Sequence, residues 1–485
     1  MPSSIIVNRY YRCGLDKRGN MGRSFGRKNS IVIDEKTPLL ILAGPMFLEL
    51  FLTTMVNNVD TLMLSHYDEF AVGAVGNANT IMFMMNILFN VIATATSVVV
   101  AQYLGAKEYD KMNMIYTLAI AVNLVIGIIL SGAFCAANPL LMDFLHASEQ
   151  MRPLSMLYIY IVGGGGFLMA VYMVMLQILR CNGYPKIGMY ITLGINIVNI
   201  GGNYLFLYGP LAFLNMGVAG VAISTVASRA IAVIAVFIFF FAKKIGKISL
   251  RYLKPFPGRL LGKMIKIGLP TAGENLTYNL YQTTLLSFVN TMGNDSVNAR
   301  AYCTTLIAFA MIFSNACAMS TQIITGHLVG AGKNEEAYKR VFKTLRTSMP
   351  ITIALASINA LLSRYTLQLF TENQNIIALG QMIMIVDIFV ETGRCLNMTF
   401  VNSLKAAGAY VFPLIMGILC NWGLGLTTGY FVGVTLGAGV AGIFAGTATD
   451  ECIRGLIVMY YWYKKKWFGK SVVDKKDQTG LEPKP

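Results

Sequence analysis

The amino-acid sequence predicts an all-α integral membrane protein with twelve transmembrane helices in two parallel six-helix repeats. Three observations predict this fold: the composition, the number of long apolar stretches and an internal duplication. Of the 485 residues, 55% are hydrophobic and only 13% are charged, and the mean hydropathy is +0.58. Because soluble domains carry about 25% charged residues, this chain is too apolar to cover a surface that faces water everywhere. The composition also excludes collagen, intrinsic disorder and a secreted disulfide scaffold.

Twelve apolar stretches are long enough to cross a bilayer, which takes about 20 residues of helix. They span residues 38–66, 74–104, 114–137, 154–179, 187–208, 216–242, 264–291, 299–329, 347–363, 376–404, 410–433 and 437–463. The chain before the first stretch has no apolar run of the length that a signal peptide needs. We expect residues 1–37 to form a disordered cytoplasmic head.

The distribution of Lys and Arg predicts the orientation of these spans. With the N-terminus inside, 33 of the 39 basic residues lie in inner segments or at the inner end of a span, three lie in outer loops or at the outer end of a span, and three lie well within spans. Basic residues concentrate in cytoplasmic loops, so both termini are expected in the cytoplasm, with a linker at 243–263 and a basic tail at 464–485. The formal net charge of +16 is therefore an orientation signal and not a nucleic-acid site. The expected location is the inner or plasma membrane.

The chain repeats itself once at a constant offset of 225 residues. The matched positions include Pro45 and Pro270, Glu49 and Glu274, Thr80 and Thr305, Asn90 and Asn315, Arg180 and Lys405, Gly183 and Gly408, and Asn196 and Asn421. Matches between Pro, Gly, Asn and Glu at one offset indicate a duplicated unit. Six spans per unit is an even number, so the lobes 38–242 and 264–463 enter the membrane the same way up. Transporters with parallel repeats bind substrate near the membrane midplane between the halves.

Several motifs in this order resemble those of the multidrug and toxic compound extrusion (MATE) transporters of bacteria. They are Pro45-x-x-x-Glu49, Val59-Asp60-Thr61, Ala101-Gln102-Tyr103-Leu104-Gly105-Ala106, Arg180-x-Asn182-Gly183-Tyr184, Asn196-x-x-Asn199, Leu269-Pro270-x-x-x-Glu274, Asp387-x-x-x-Glu391-x-x-Arg394 and Asp450-Glu451-x-x-Arg454. The resemblance covers about residues 37–468. It implies two lobes around a V-shaped central cleft. It also implies export of amphipathic, often cationic, organic compounds in exchange for protons or sodium ions.

Ionisable residues within the spans are the best candidates for the coupling site, because each costs about 2.5–3.5 kcal/mol to insert. The first lobe holds Glu49, Asp60 and Arg229 in its spans. Away from their ends, the spans of the second lobe hold five acids against two arginines: Glu274, Asp387, Glu391, Asp450, Glu451, Arg394 and Arg454. Desolvation disfavours ionised carboxylates, so surplus acids must bind protons or metal cations. The surplus acid is expected in the second lobe.

Helical spacing separates these acids into two groups. Glu391 and Arg394 are three residues apart, and Asp450 and Arg454 are four apart. These spacings predict ion pairs on one helix face, with Glu451 in the same cluster. Glu274 and Asp387 have no basic residue within one turn of their own span. We therefore predict that these two carry the coupling ion, a role similar to that of acids on spans 7 and 10 of MATE transporters.

Two first-lobe acids are further candidates for cation coupling. Glu49 is the repeat mate of Glu274, and either a functional or a structural role fits it. Asp60 lies late in span 1, where its Val-Asp-Thr setting resembles an aspartate that is linked to proton coupling in some MATE transporters. With Asn57 and Asn58 beside it, a structural, hydrogen-bonded role is the alternative.

The remaining signals are weaker. Pro45 and Pro270 each remove a helix hydrogen bond, so they are predicted to bend spans 1 and 7 as hinges, although a plain kink is an alternative. Tyr204 and Tyr281 are candidates for stacking on a cationic drug. Asn196 and Asn421 are further candidate substrate contacts.

Other functional classes find little support in the sequence. The glycine run 163–166 lacks the pattern of a phosphate-binding loop and predicts close packing or a kink. No catalytic triad, Walker loop or metal-ligand spacing occurs among the eight cysteines and three histidines. We expect no enzyme activity, no cofactor or metal besides the coupling ion, and a monomer whose partners are the lipid bilayer and a small organic substrate. A flippase for lipid-linked sugars and a membrane-embedded enzyme are the alternatives. The flippase would favour a cleft richer in Arg and Lys.

Overall fold

The computed structural model describes residues 33–65, 67, 69–144, 148–210, 212–214 and 216–473, and these form helices and turns without a strand. Twelve long helices lie at the predicted spans. They are α1 Leu39–Ser65, α2 Glu69–Gly105, α3 Tyr109–Ala136, α4 Arg152–Gly163 with Gly166–Cys181, α5 Pro185–Leu207, α6 Gly217–Ala242, α7 Gly258–Asn290, α8 Asn294–Gly330, α9 Asn334–Gln368, α10 Gln374–Ala406, α11 Val411–Thr435 and α12 Gly439–Tyr463. Shorter helices occupy Asn138–Phe144, Ala212–Leu214 and Leu250–Leu253.

Eight of the twelve helices in the described ranges are long and apolar enough to cross a membrane, and the bent pair that forms α4 makes a ninth. The other three, α5, α7 and α12, have 23, 33 and 25 residues. At about 1.5 Å per residue, each is long enough to cross the hydrocarbon core. They fall short in hydropathy because they carry the asparagines of α5 and the acids of α7 and α12. Two of these three helices, α7 and α12, carry acids of the candidate site described below.

The chain divides into two compact units. The first contains Leu48–Leu104 and Glu108–Gly268, and the second contains Asp34–Phe47, Gly105–Lys107 and the chain from Leu269 onward. The start of α1 thus belongs to the second unit and the start of α7 to the first, which the predicted lobes 38–242 and 264–463 did not anticipate. The divisions within α1 and α7 each lie beside a proline, since Pro45 and Pro270 are inside these helices. A proline inside a helix removes one backbone hydrogen bond.

The glycine run of α4 produces a bend and close packing. The two parts of α4 meet at 46° between Gly163 and Gly166. A Cβ on Gly166 would lie 2.9 Å from Ser131 Oγ, and it would also collide with Met85 of α2. Met85 belongs to the apolar core of the first unit, together with Phe89 and the buried Val162 of α4. The run therefore serves packing in this unit.

The core of the second unit is built from α7, α8, α10 and α12. Its buried side chains include Tyr281, Leu285, Ile307, Ile383 and Ile443. Two π-helical segments, Leu419–Gly425 and Phe431–Thr435, interrupt α11. Such segments are frequent at functional sites, and the first of them lies beside the acids described below.

Candidate ion-coupling site

A buried ion pair joins α1 to the end of α4 in the first unit. The guanidinium Nη2 of Arg180 donates a hydrogen bond of 2.6 Å to Glu49 Oε1, and the side chains are 6% and 5% exposed. Gly188 of α5 makes room for the carboxylate, since a Cβ there would lie 2.8 Å from Glu49 Oε2. Glu49 is therefore neutralised by a basic residue of another helix.

The second unit contains the corresponding pair. Lys405 Nζ lies 2.8 Å from Glu274 Oε2, and both side chains are largely buried. Lys405 stands in the last turn of α10, and Glu274 lies on α7. The residues of this pair and those of the Glu49–Arg180 pair are matched by the same offset of 225. The duplication has therefore reproduced a whole contact between two helices.

The predicted spans 154–179 and 376–404 end just before Arg180 and Lys405 and so place both residues in inner loops. This prediction is wrong. Both are helical and only 5% exposed. Spacing along α7 alone predicts an unpaired Glu274, because no basic residue lies within one turn of it on that helix. The signal that would have found its partner was available, since Arg180 and Lys405 keep the same offset as Glu49 and Glu274. The coupling role of Glu274 stays a prediction.

Asp387 has the most isolated carboxylate of the second unit. The residue is 1% exposed, and no described residue forms a hydrogen bond with either of its carboxylate oxygens. The charged groups that act on it are Glu391, one turn further along α10, and Arg394. Cys303 of α8 lies close by and directs its thiol to the Gly380 carbonyl oxygen instead. A buried carboxylate without a donor is costly in its ionised form, so this group has a strong tendency to bind a cation.

The other acids of the second unit form one cluster with two arginines across α10 and α12. Arg394 pairs with Glu391 through a very short contact, and its Nε lies 3.8 Å from Glu451 Oε1. Arg454 Nη2 lies 3.1 Å from Asp450 Oδ2 and 3.0 Å from Glu451 Oε2. Asn397 Nδ2 donates a further bond of 2.8 Å to Glu451. The pairs expected at three- and four-residue spacing are thus in contact, and Glu451 joins them into a network.

The π-helical segment of α11 faces this cluster. A Cβ on Gly417 would lie 3.5 Å from Glu274 Cγ and 3.8 Å from Arg454 Nη1. One on Gly425 would lie 3.0 Å from Asp450 Cβ. Asn421 stands four residues from each glycine, on the same face. It is fully buried, and neither of its side-chain polar atoms finds a partner among the described residues.

The four candidate substrate contacts lie in different environments. Tyr281 and Asn421 are completely buried in the second unit, whereas Tyr204 is 55% exposed. Asn196 is buried and donates a 3.1 Å hydrogen bond to the Leu52 carbonyl oxygen. Only Tyr204 therefore offers an accessible ring face in this structure.

Asp60 of the first unit has partners that Asp387 lacks. Asn203 Nδ2 donates a bond of 2.6 Å to Asp60 Oδ1, and Arg229 of α6 interacts electrostatically with Asp60 and Tyr158. The side chains of Asn57 and Asn58, the partners that the sequence suggested, lie outside the described residues.

The buried charges of the two units therefore differ. Two bases, Arg180 and Arg229, match Glu49 and Asp60 in the first unit. In the second unit, the cluster on α7, α10 and α12 contains five acids and three bases, so two negative charges remain in it: Glu274, Asp387, Glu391, Asp450, Glu451, Arg394, Arg454 and Lys405. The buried Arg340 of α9 lies outside this cluster and donates a hydrogen bond to the Glu35 carbonyl oxygen. Within the described ranges, no group of three or more His, Cys, Asp or Glu residues could hold a metal ion. Cys13, His66 and His146 lie outside those ranges.

The fold and the duplicated charge sites define a multi-pass membrane protein of the two-lobe transporter class. The sequence profile of the MatE family matches residues 45–205 and again 270–431. These two matches begin 225 residues apart and reproduce the internal repeat. The chain belongs to the MATE family.

Curated bacterial relatives cover almost the whole chain. An uncharacterized transporter YisQ of Bacillus subtilis is 34% identical over 440 residues, which is 90% of this chain and 96% of the relative. A probable multidrug resistance protein NorM of Thermotoga maritima is 23% identical and covers 90% of this chain and 94% of its own. The multidrug resistance protein PmpM of Pseudomonas aeruginosa is 24% identical, with coverages of 83% and 84%.

Solved structures confirm the predicted fold. An outward-facing MATE family transporter of the MOP superfamily superimposes with a TM-score of 0.83 at 19% identity, over 89% of this chain and 96% of that one. A mutant of the Vibrio cholerae MATE transporter VcmN gives a TM-score of 0.82 at 16% identity, with coverages of 88% and 96%. The twelve-helix architecture is therefore the MATE fold.

Proposed function

We propose that this protein is a secondary active exporter that removes amphipathic, often cationic, organic compounds from the cell in exchange for protons or sodium ions. Its family membership supports transport, and the names of relatives such as PmpM support drugs as substrates. Its place is the plasma membrane, with both termini in the cytoplasm. The basic residues on the predicted inner side support that orientation.

The single observation that carries the coupling proposal is the buried Asp387 carboxylate. Neither of its oxygens has a hydrogen-bond partner among the described residues, and the cluster of α7, α10 and α12 to which it belongs holds two more acids than bases. A cation that binds there replaces a missing counter-charge, so its binding is favourable without further rearrangement of the cluster. The coupling free energy between ion and drug is reciprocal and typically about 1–3 kcal/mol.

The other candidate acids rank below Asp387. Glu274 is half of an ion pair with Lys405, so a coupling ion must compete with that lysine. Glu49 is held by Arg180, and Asp60 by Asn203 and Arg229. We assign these two a supporting role in the first lobe.

Alternating access is proposed to use Pro45 and Pro270 as hinges. Each lies close to the point where its helix passes from one compact unit to the other. Rocking of one repeat against the other is the usual movement of transporters with internal repeats. Asn196, Asn421, Tyr204 and Tyr281 stay candidates for substrate contact.

The decisive experiment is drug-induced efflux in everted membrane vesicles with the pH gradient and the sodium gradient collapsed separately. An exporter of this type loses uptake of a cationic dye into the vesicles when its driving gradient is removed. Dye uptake that is unchanged with both gradients collapsed would refute the proposal. Export of a lipid-linked sugar without either gradient would favour the flippase alternative.

A further inference from the structure

The two repeat-related ion pairs differ at one position in a way that changes their chemistry. The first lobe uses an arginine, Arg180, against Glu49. The second uses a lysine, Lys405, against Glu274. Both pairs join a largely buried glutamate to a base on another helix, so the type of base is the main difference between them.

Arginine forms the more permanent of the two pairs. Its planar guanidinium stays charged and holds five donors in a fixed fork, whereas the lysine ammonium is a point charge on a flexible stem. Arg180 donates a well-formed hydrogen bond to Glu49. Lys405 Nζ approaches Glu274 Oε2 to 2.8 Å, yet this oxygen accepts no hydrogen bond of acceptable geometry. The second pair is therefore less well aligned than the first.

Lys405 also has another place for its ammonium group. It stands in the last turn of α10, where the negative end of the helix dipole attracts cations. A lysine stem can move between this helix end and Glu274 by rotation about its side-chain bonds. The fixed fork of an arginine makes the same exchange harder.

We propose that Lys405 is a tethered, exchangeable counter-ion of Glu274, displaced when a coupling cation binds to the Glu274 carboxylate. It is a positioning residue that sets the affinity for the ion, whereas Arg180 is a permanent structural partner. This inference rests on the proposed function and adds a residue that determines ion affinity. The charged and titratable groups that face Glu274 are Lys405 from α10, Arg454 from α12 and Tyr278 on α7 itself. The neighbouring α11 contributes the uncharged Gly417.

Two substitutions of Lys405 test the proposal because they shift the ion dependence in opposite directions. Lys405→Arg copies the permanent pair of the first lobe, so the coupling ion must compete with a stronger partner. Lys405→Met removes the competitor. We expect the ion concentration at half-maximal effect to rise about tenfold in the first variant and to fall about tenfold in the second. Lys333→Arg, in an exposed ion pair with Glu336, is the control for the same replacement outside the site, and its midpoint should equal that of the parent.

The midpoint is measured in two ways. Efflux per folded transporter is followed in everted vesicles while pH and sodium are titrated separately. The ion-dependent rise in Tm of the purified protein gives the same midpoint for variants that do not transport, because a bound ligand stabilises the folded state. A parent protein with no response to either ion in both assays would refute the proposed function itself, and with it the premise of this inference.

A second pair of variants shows whether Lys405 acts through Glu274. In a Glu274→Gln background, Lys405 has no carboxylate to compete for. Adding Lys405→Met should therefore give the same ion midpoint of the Tm rise as Glu274→Gln alone. The neutral double variant also avoids an unpaired buried charge, which protects folding if Lys405→Met is unstable by itself. The inference is overturned if Lys405→Arg shifts the midpoint no more than Lys333→Arg does. It is also overturned if Lys405→Met shifts the midpoint equally with and without Glu274.

Discussion

The two lobes share a fold and differ in charge, and the difference separates structure from function. At the offset of 225, Asp387 and Glu391 of α10 correspond to Val162 and Gly166 of α4. In the first lobe these positions belong to an apolar core and a glycine bend. In the second lobe the same helix carries two acids that are almost completely buried. The duplication thus retained the helices, while side-chain replacements gave one lobe the surplus of acid.

The same contrast holds on the last helix of each lobe. Towards the end of the repeat the offset shortens by three residues, so that Gly217 aligns with Gly439 and Arg229 of α6 corresponds to Glu451 of α12. Arg229 supplies a positive charge close to Asp60, whereas Glu451 contacts both arginines of its cluster. Because the acids of the first lobe already have basic partners, binding an external cation there would gain little free energy. The comparison therefore predicts that the coupling ion binds in the second lobe.

The largest effect is expected at Asp387. Asp387→Asn keeps the shape of the side chain and removes its charge, so gradient-driven efflux should fall to the level seen without a gradient while membrane insertion is retained. Everted-vesicle transport, corrected for the amount of folded protein, measures it. Asp295→Asn, at the partly exposed start of α8, is the matched control and should transport normally. Parental efflux with unchanged ion dependence in Asp387→Asn would move the coupling site to Glu49 or Asp60.

The next effect concerns stability. Glu391→Gln removes the closest partner of the buried Arg394, and breaking a buried ion pair typically costs about 3–5 kcal/mol. We expect a lower yield of folded protein and a lower Tm in detergent. Glu335→Gln breaks an exposed ion pair with Lys465 and should cost about 1 kcal/mol or less. Equal losses in the two variants would mean that the second-lobe cluster does not stabilise the fold.

Asp60 tests whether the first lobe also takes part in coupling. Asp60→Asn removes a charge that Asn203 and Arg229 already satisfy. The expected result is a modest loss of stability and a reduction in coupled efflux of about threefold or less, well below the typical coupling range of roughly 5–150-fold. The same vesicle assay that measures Asp387→Asn compares the two. A complete loss of ion dependence would show that both lobes bind the coupling ion.

The parallel arrangement of the two lobes can be tested by cysteine labelling, without a transport measurement. Single cysteines at the exposed positions 149 and 372 should react with an impermeant thiol reagent added to intact cells. Cysteines at the exposed positions 110 and 339 should react only after the membrane is opened. A background without the native cysteines serves as control. Opposite labelling of positions 149 and 372 would mean that the repeats are inverted and not parallel.

Much of the fold was predictable because it depends on patterns within single stretches of chain. Twelve apolar stretches of sufficient length predict twelve helices, and a constant offset of 225 predicts two equal units. The ion pairs Glu391–Arg394 and Asp450–Arg454 also follow from spacing on one helix. The glycine run 163–166 predicts a bend or close packing in α4, because glycine adopts more backbone conformations than other residues and has no Cβ to hold neighbouring helices apart.

Contacts between different helices could not be read in the same way. Lys405 is 131 residues from Glu274 along the chain, as Arg180 is from Glu49, and no spacing rule connects positions so far apart. The π-helical turn that places Asn421 between Gly417 and Gly425, facing Glu274, Arg454 and Asp450, was likewise not apparent from hydropathy.

The sequence by itself determined the membrane-spanning helices, the duplication and the family, because these depend on local hydropathy and on residues repeated at a fixed distance. Only the tertiary structure decided which acids are neutralised. Glu49 and Glu274 each meet a base from another helix, while Asp387 is buried without a donor among the described residues. The physical reason is that a charge in a low-dielectric interior is stabilised by the groups within a few ångströms of it, and helix packing decides which groups those are.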